Sequence, residues 1–310
     1  MPFRPTLALC KGKNAAPSSK FWLSRHFDDP YVRQRLSNPE NYRSRSAFKL
    51  LEIDDKYSRF LRRSDVHAVV DLGAAPGGWS QVIAGFMGWS DGHNAEASSP
   101  WDVGSSPRVD DAADKWGLKR IEEVELQADG SWSTGEAYAL PEETRGTEST
   151  GRGVVVAIDK LRMQPIPGVH SMQLDFLSPE AGSLVQEILK AKANKEGKAD
   201  VILSDMAANM SGNKIRDTQA SLDICEAVWA FASQHLRTAE SIGRKRGGVL
   251  LLKHFAHPIL QEFRQVYLNP NFHDVLYIKP GASRAESSEG YWLCMGFKGY
   301  KEVSALVAAA

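Results

Sequence analysis

VVDLGAAPGGWSQV, Val69 to Val82, is the stretch on which the fold of this 310-residue chain turns. A β-branched run, His67 to Leu72, reads as a buried strand carrying an acid, Asp71, near its end. A glycine-rich turn follows, and Gly78 to Met87 reads as a helix. Strand, turn and helix in this order hold nucleotide-like ligands, and three compete for the turn. A dinucleotide turn needs G-x-G-x-x-G, and Ala75 stands at its second glycine. A P-loop needs a lysine after its last glycine; Gly73 and Gly78 have the spacing, but Trp79 takes the lysine's place. Pro76 also removes one backbone donor from any phosphate cradle. The turn formed by Gly73, Ala74, Pro76, Gly77, Gly78 and Trp79 therefore suits a ligand with a nucleoside but no phosphates. S-adenosyl-L-methionine (AdoMet) fits, with Asp71 placed to receive its ammonium group directly or through water.

The pattern repeats outward from the turn. Upstream, Ser44 to Tyr57 reads as a helix capped by Ser44 or Ser46. Downstream, VVVAID is a strand ending in Asp159, VHSMQLDF a second ending in Asp175, and DVILSD a strand ending in Asp205. An isolated strand-end aspartate is ordinarily a turn or a helix cap. Asp71, Asp159 and Asp175, on three successive strands beside this turn, read as a ligand set, with Asp159 for ribose hydroxyls and Asp175 for an adenine amino group. Pro179 to Ala193 and Thr218 to Ala239 read as helices, GGVLLLKHF as a strand carrying Lys253, and Pro258 to Tyr267 as a helix. Phe272 to Ile278 and Tyr291 to Phe297 are closing strands with no helix between them. The expected fold class is α/β: a doubly wound, mostly parallel seven-stranded sheet of Rossmann-like type, closed by an antiparallel edge hairpin.

Composition bounds the rest. With 42% hydrophobic and 25% charged residues the chain reads as a globular protein, and no apolar run approaches the roughly 18 residues a bilayer span needs. Cys10, Cys225 and Cys294 form no CxxC pair, which argues against a zinc site or disulfide framework and for a reducing compartment. No metal is expected. The net charge of zero hides an asymmetry: residues 88–151 hold 14 acids against 5 bases, leaving 33 bases against 24 acids elsewhere. Residues 88–151 read as an acidic, largely irregular insertion dividing one domain into 31–87 and 152–300, with a short tail, 301–310. Residues 1–30 hold no acid before Asp28 but carry Arg4, Lys11, Lys13, Lys20 and Arg25, the composition of a mitochondrial transit segment or of a basic arm that touches nucleic acid.

Several segments together resemble the RrmJ/FtsJ family of AdoMet-dependent 2′-O-ribose RNA methyltransferases. They are RSRSAFKL, the glycine-rich turn, SDMAANMSG and KPGASRAESSEGYWL, in order between Ser44 and Gly299. The resemblance implies a methyltransferase domain with a Lys-Asp-Lys-Glu tetrad, which falls on Lys49, Asp205, Lys253 and Glu289. Such a set suits the chemistry. A ribose hydroxyl is a poor nucleophile, and a lysine with a like charge nearby, or buried, gives up its own proton more readily. The expected roles are Lys253 as the group that orients or deprotonates the hydroxyl, Asp205 as the holder of its ammonium form near the methyl donor, and Lys49 and Glu289 as positioners. Glu286 is a rival for Glu289. His254, where a small apolar residue is expected, and Ala208, where proline is usual, depart from the family pattern.

Arg33, Arg35, Arg43 and Arg45, interleaved with Tyr31 and Tyr42, read as an RNA-binding set. Within the family the N-terminus resembles the mitochondrial large-subunit rRNA enzymes. That implies methylation of a uridine in ribosomal RNA, inside a large subunit or its precursor, in the mitochondrial matrix. The rivals are a tRNA 2′-O-methyltransferase, an assembly factor acting mainly by RNA binding, and a nucleotide-binding oxidoreductase, which the missing G-x-G-x-x-G weighs against.

Overall fold

The computed structural model describes residues 31, 41–89, 151–208, 211–283 and 287–300. The first half of the core is α1 (Ser46–Lys56), β1 (Ala68–Leu72), α2 (Gly78–Phe86), β2 (Val154–Asp159), β3 (Val169–Gln173) and α3 (Pro179–Lys192). The second half is β4 (Val201–Ser204), α4 (Lys214–His235), α5 (Ala239–Ile242), β5 (Val249–Phe255), α6 (Pro258–Phe263), β6 (Phe272–Ile278) and β7 (Glu289–Phe297). The strands form one sheet in the order β3-β2-β1-β4-β5-β7-β6. β1 to β5 pair in parallel, while β7 lies antiparallel to both β5 and β6. This is the expected doubly wound sheet, and its closing strands do pair as an antiparallel hairpin. The strand last in sequence takes the inner place, which brings its side chains beside those of β5.

Two apolar layers cover the sheet. Side chains alternate along a strand with a period of two, so each strand feeds both layers. Val70, Val156, Ile202 and Leu250 pack against α3 and α4, where Val185, Leu189 and Trp229 meet them. Val69, Val155, Val201 and Leu251 pack against α1 and α2, where Leu50, Ile53 and Ile83 meet them. Trp89 N donates to Ala84 O at 2.9 Å and Arg152 N to Met87 O at 2.8 Å. The chain therefore leaves α2 and rejoins β2 at one place, on either side of the acidic stretch. Apart from Gly88, Trp89 and Gly151, that stretch lies outside the described residues, as do 1–30 and 301–310.

Some boundaries differ from expectation for identifiable reasons. α4 begins at Lys214, four residues before Thr218, because Asn213 accepts from Ile215 N at 3.1 Å and Arg216 N at 3.3 Å. That first turn has no apolar periodicity to reveal it; Ile215 is 84% exposed. β3 stops at Gln173, which leaves Asp175 in the following turn. Neither serine caps α1 with its side chain; the Ser44 and Ser46 hydroxyls bond each other at 2.7 Å. α6 ends at Phe263 and widens into a π turn, Arg264–Leu268.

Asp200 anchors the middle of the sheet. Its Oδ2 accepts from His67 N at 2.8 Å and Ala68 N at 3.0 Å, and its Oδ1 accepts from Arg237 Nη1 at 2.9 Å. The carboxylate is buried, so its removal strands two backbone donors and a guanidinium together. Asp200→Ala is expected to cost roughly 3 kcal/mol in urea unfolding at pH 7, and Asp200→Asn clearly less. Equal stability of all three proteins would refute this anchoring role.

Candidate active site

The two-residue period that builds the core also gathers the site. On β5, Val249 and Leu251 face α1, so Lys253 does too, and His254 faces away. On β7, Leu293 and Tyr291 share that face, and Glu289 follows in phase. On β1, Val69 faces α1 and Asp71 follows it. On β4, Val201 and Leu203 face α1, and Asp205, one residue past the strand, keeps step.

Lys49 reaches across this face from α1. Its Nζ lies 2.5 Å from Glu289 Oε1. Lys253 Nζ lies 3.1 Å from Asp205 Oδ1 and 3.7 Å from Glu289 Oε2. It also donates to the backbone oxygen of Asp205 at 3.3 Å. The tetrad is therefore one run of contacts, Lys49–Glu289–Lys253–Asp205, with Lys49 5% and Lys253 9% exposed. Burial alone would raise the Glu289 carboxyl, but Lys49 and Lys253 outweigh it and hold the group at about 2. Glu289 is thus ionised at any working pH and bridges two cations. The rival Glu286 lies outside the described residues, as do Asn209 and Met210 after Ala208.

Two members of the site were not read from the sequence. Tyr291 lies directly across from Lys253 in the β5–β7 register. Its hydroxyl is 2.6 Å from Asp205 Oδ1 and 3.2 Å from Glu289 Oε1. One phenolic proton serves one acceptor at a time, and the shorter contact takes it. Burial, and then the two carboxylates, push this phenol well above its ordinary value, so it stays a donor. Ser283 Oγ donates to Glu289 Oε1 at 2.9 Å. Phase along β7 was the signal for Tyr291; Ser283 sits in a turn, where no periodicity operates. His254 proves harmless: it stacks on Trp292 on the far face at 3.7 Å, and burial lowers its pKa to about 4.

The glycine-rich turn abuts this array. Gly73 takes φ +72°, and a Cβ there would stand 2.1 Å from Met206 Cγ, on the loop that follows Asp205. At Gly78 a Cβ would stand 2.0 Å from Ser44 Oγ. Trp79 is buried, donates from Nε1 to Ser46 O at 2.8 Å, and packs on Tyr291 at 5.9 Å. The residue that replaced the P-loop lysine thus ties the turn to α1 and to the tetrad. Asp159 Oδ2 accepts from Ala75 N at 2.9 Å, and its Oδ1 from Leu161 N at 2.7 Å. Gly73 N and Ala74 N both donate to Ile158 O, and Gly77 N to Ala74 O. Asp175 is partly exposed at the far end of the row, paired with Lys160 at 2.8 Å and accepting from Leu177 N.

These residues suit a cationic nucleoside. Asp71 is 1% exposed and accepts from Ser80 Oγ at 2.7 Å. Burial, and then Asp205 and Asp159, raise its carboxyl to about 7 against the Ser80 bond. Three acids crowding one turn favour a ligand that brings positive charge, and AdoMet carries a sulfonium and an ammonium. Among the described residues, the turn from Gly73 to Trp79 carries no cationic side chain for a phosphate. The nearby guanidinium of Arg43 donates to Gln164 O at 2.6 Å and Pro165 O at 2.7 Å.

The expected RNA set separates. Tyr42 is 5% exposed and turns its ring edge-on to Phe48 at 5.6 Å, so it packs the core rather than offering a face to a base. Arg43 clamps backbone carbonyls, as above. Arg45 is partly exposed, and Arg33 and Arg35 lie outside the described residues. The reason is proximity to the turn: the segment before α1 must seat the turn, and its side chains serve that contact first. Among the described residues no group of three or more metal-ligating side chains occurs, and no helix is long and apolar enough to cross a membrane.

Comparisons with known proteins point to one family. The profile of the FtsJ-like methyltransferase family matches residues 42–97 and 127–297. The protein named ribosomal RNA large subunit methyltransferase E of Afipia carboxidovorans is 37% identical over 282 residues, covering 91% of this chain and 90% of its own length. The protein of that name from Parvibaculum lavamentivorans is 37% identical over 286 residues, 92% of this chain and 84% of its own. Among solved structures, a candidate ribosomal RNA methyltransferase of Plasmodium falciparum superposes with a TM-score of 0.53 at 23% identity, covering 84% of this chain and 100% of its own, a likeness of fold.

Asp71 makes the site testable through stability. Its folded-state value of about 7 lies above the unfolded 3.8, so the folded protein keeps a proton that the unfolded one has lost. Its contribution therefore falls as pH rises from about 4 to about 7, and the cost persists above that. Asp71→Asn keeps an acceptor for Ser80. It is expected to be more stable than the parent at pH 8, by up to a few kcal/mol and with a higher melting temperature, and to gain less at pH 4.5. Calorimetry without ligand checks this, and a gain independent of pH would contradict it. The same variant is expected to bind AdoMet at least about tenfold more weakly by titration calorimetry.

Proposed function

The chain belongs to the FtsJ-like methyltransferase family, and we propose that it transfers the methyl group of AdoMet to a ribose 2′-hydroxyl in large-subunit ribosomal RNA. The observation that carries this is the unbroken contact run Lys49–Glu289–Lys253–Asp205 beside a turn that suits a sulfonium ligand. Relatives named for large-subunit rRNA methylation, matched over most of both chains, support the substrate class. The uridine as acceptor base is carried by the resemblance alone.

AdoMet, when bound, supplies an electrophilic methyl on sulfur. Asp71, Asp159 and the turn would hold it, and Asp175 stands at the adenine end of the same row of strand ends. A 2′-oxygen aligned opposite the sulfur would take that methyl, the new C–O bond replacing the S–C bond whose electron pair would remain on sulfur. The hydroxyl proton leaves as the new bond forms, and Lys253 is the side chain placed to orient the hydroxyl or to receive that proton. Asp205, held by Tyr291, stands beside it at 3.1 Å. Lys49 stays paired with Glu289 and marks the outer wall for the ribose. Much of the rate comes from holding two substrates in line.

The mitochondrial matrix is proposed as the compartment on the N-terminal segment alone, which holds five bases and no acid before Asp28; the relatives named above are bacterial. Residues 1–30 fused to a fluorescent protein are expected to direct it to mitochondria. A diffuse signal would favour the basic-arm reading of the same residues.

Lys253→Ala is expected to lower methyl transfer at least about 100-fold while AdoMet affinity changes little. Tritium transfer to ribosomal RNA, with binding measured separately, checks both. Retained activity would remove Lys253 from its role, and rescue of deletion cells by this inactive variant would favour the assembly-factor reading. Mapping 2′-O-methyl sites in such cells is expected to show loss at a large-subunit uridine; loss in a tRNA would favour the tRNA reading.

A further inference from the structure

Glu52 is one helical turn from Lys49 on α1, and its carboxylate bonds to no member of the tetrad among the described residues. Its carboxylate instead caps the turn between β6 and β7. Glu52 Oε1 accepts from Gly281 N at 2.8 Å, and Oε2 accepts from Ala282 N at 3.1 Å. That turn is closed by Ser283 N donating to Pro280 O at 3.0 Å. Ser283, the next residue, donates its hydroxyl to Glu289 Oε1 at 2.9 Å, the oxygen that Lys49 also contacts. A closed ring results: α1 to Lys49, Lys49 to Glu289, Glu289 to Ser283, Ser283 through its turn to Glu52, and Glu52 back to α1.

The ring has a mechanical meaning. Lys49 rides on a helix and Glu289 on the first residue of a strand, and no backbone ladder connects the two elements. The distance between them is set wherever α1 and the Pro280–Ser283 turn are fastened together, and Glu52 supplies two of the fastenings. It is suited to this. Burial would raise its carboxyl, but Lys56 and the two backbone N–H groups outweigh burial and keep it below the ordinary carboxylate range. Lys56 Nζ approaches Glu52 Oε1 at 2.6 Å from the solvent side, with its own side chain 63% exposed. A carboxylate has two acceptor oxygens for two donors; glutamine has one acceptor and would turn an NH₂ toward the other N–H.

We infer that Glu52 is a positioning residue for the methyl-transfer site, setting the Lys49–Glu289 pair by clamping the Pro280–Ser283 turn to α1. The inference rests on the reading of the tetrad as that site. It predicts a loss in kcat with little change in substrate binding, because the glycine-rich turn is held by other groups. It also predicts that Glu52 and Ser283 act through one carboxylate, so their effects do not add.

The test uses the full chain with ribosomal RNA and AdoMet. Glu52→Gln, Ser283→Ala and the double variant are compared by kcat, by RNA KM and by AdoMet affinity, with thermal unfolding followed in parallel. Glu52→Gln and Ser283→Ala are each expected to lower kcat about 10- to 100-fold, the scale of small misplacements of reacting groups. KM and AdoMet affinity should stay within about threefold, and the double variant should be no worse than about the larger single loss. Wild-type kcat in Glu52→Gln would overturn the inference, and so would multiplied losses in the double variant. A fall in AdoMet affinity and melting temperature that accounts for the lost rate would overturn it too. Should Glu52→Gln fail to fold, Glu52→Asp, which keeps both oxygens on a shorter arm, is expected to fold with reduced kcat; full activity there sinks the idea. A parent protein that methylates no ribose 2′-hydroxyl would instead remove the functional reading, and this inference with it.

Discussion

Glu289 lies between two lysines, 2.5 Å from one and 3.7 Å from the other, and the site holds together around that bridge. Neither lysine could sit so far from water alone, since an unpaired buried cation is expelled or neutralised. With Glu289 between them and Asp205 beyond Lys253, two cations and two anions alternate along one line. Each charge meets an opposite charge before it meets a like one. The arrangement is costly to break at any point, because removal of one member leaves its neighbours buried and unpaired. It also joins three parts of the fold: α1 holds Lys49, the antiparallel β5–β7 pair holds Lys253 and Glu289, and the loop after β4 holds Asp205.

The antiparallel insertion of β7 is what allows this. A parallel strand beside β5 would start from the opposite end of the sheet. Because β7 runs the other way, its first residue, Glu289, lies at the carboxyl end of β5, and Tyr291 lies across from Lys253. In open α/β sheets that end is where ligands bind. One reversed strand therefore adds an acid and a phenol to a rim otherwise supplied by strand C-termini.

The cofactor half obeys a different constraint. Asp71, Asp159 and Asp205 crowd one turn, and their mutual repulsion, added to burial, lifts Asp71 to about 7. A fold optimised for stability alone would not place an acid there. The same crowding favours a positively charged ligand, so stability forgone without ligand returns as affinity. Trp79 links the two halves, bonded to α1 at Ser46 and packed on Tyr291, so the turn and the tetrad share one wall.

The sequence by itself determined the strand–helix alternation and, through matched segments, pointed to the four residues that the structure brings into one run of contacts; it also narrowed the ligands proposed for the turn. These are local: periodicity, a missing lysine at Trp79 and a missing glycine at Ala75 can be read from neighbours along the chain. Even the side of the sheet on which Lys253 and Glu289 lie follows from counting by twos along β5 and β7. Only the tertiary structure decided which neighbours those side chains meet. It withdrew Tyr42 into the core and gave Arg43 to backbone carbonyls, because residues next to the turn must first seat it. It brought Glu52, across more than two hundred residues of sequence, against the turn that carries Ser283, through hydrogen bonds that no periodicity marks. Side-chain phase is set by the backbone of one strand, but contact between elements is set by how they pack, and packing is a property of the whole chain.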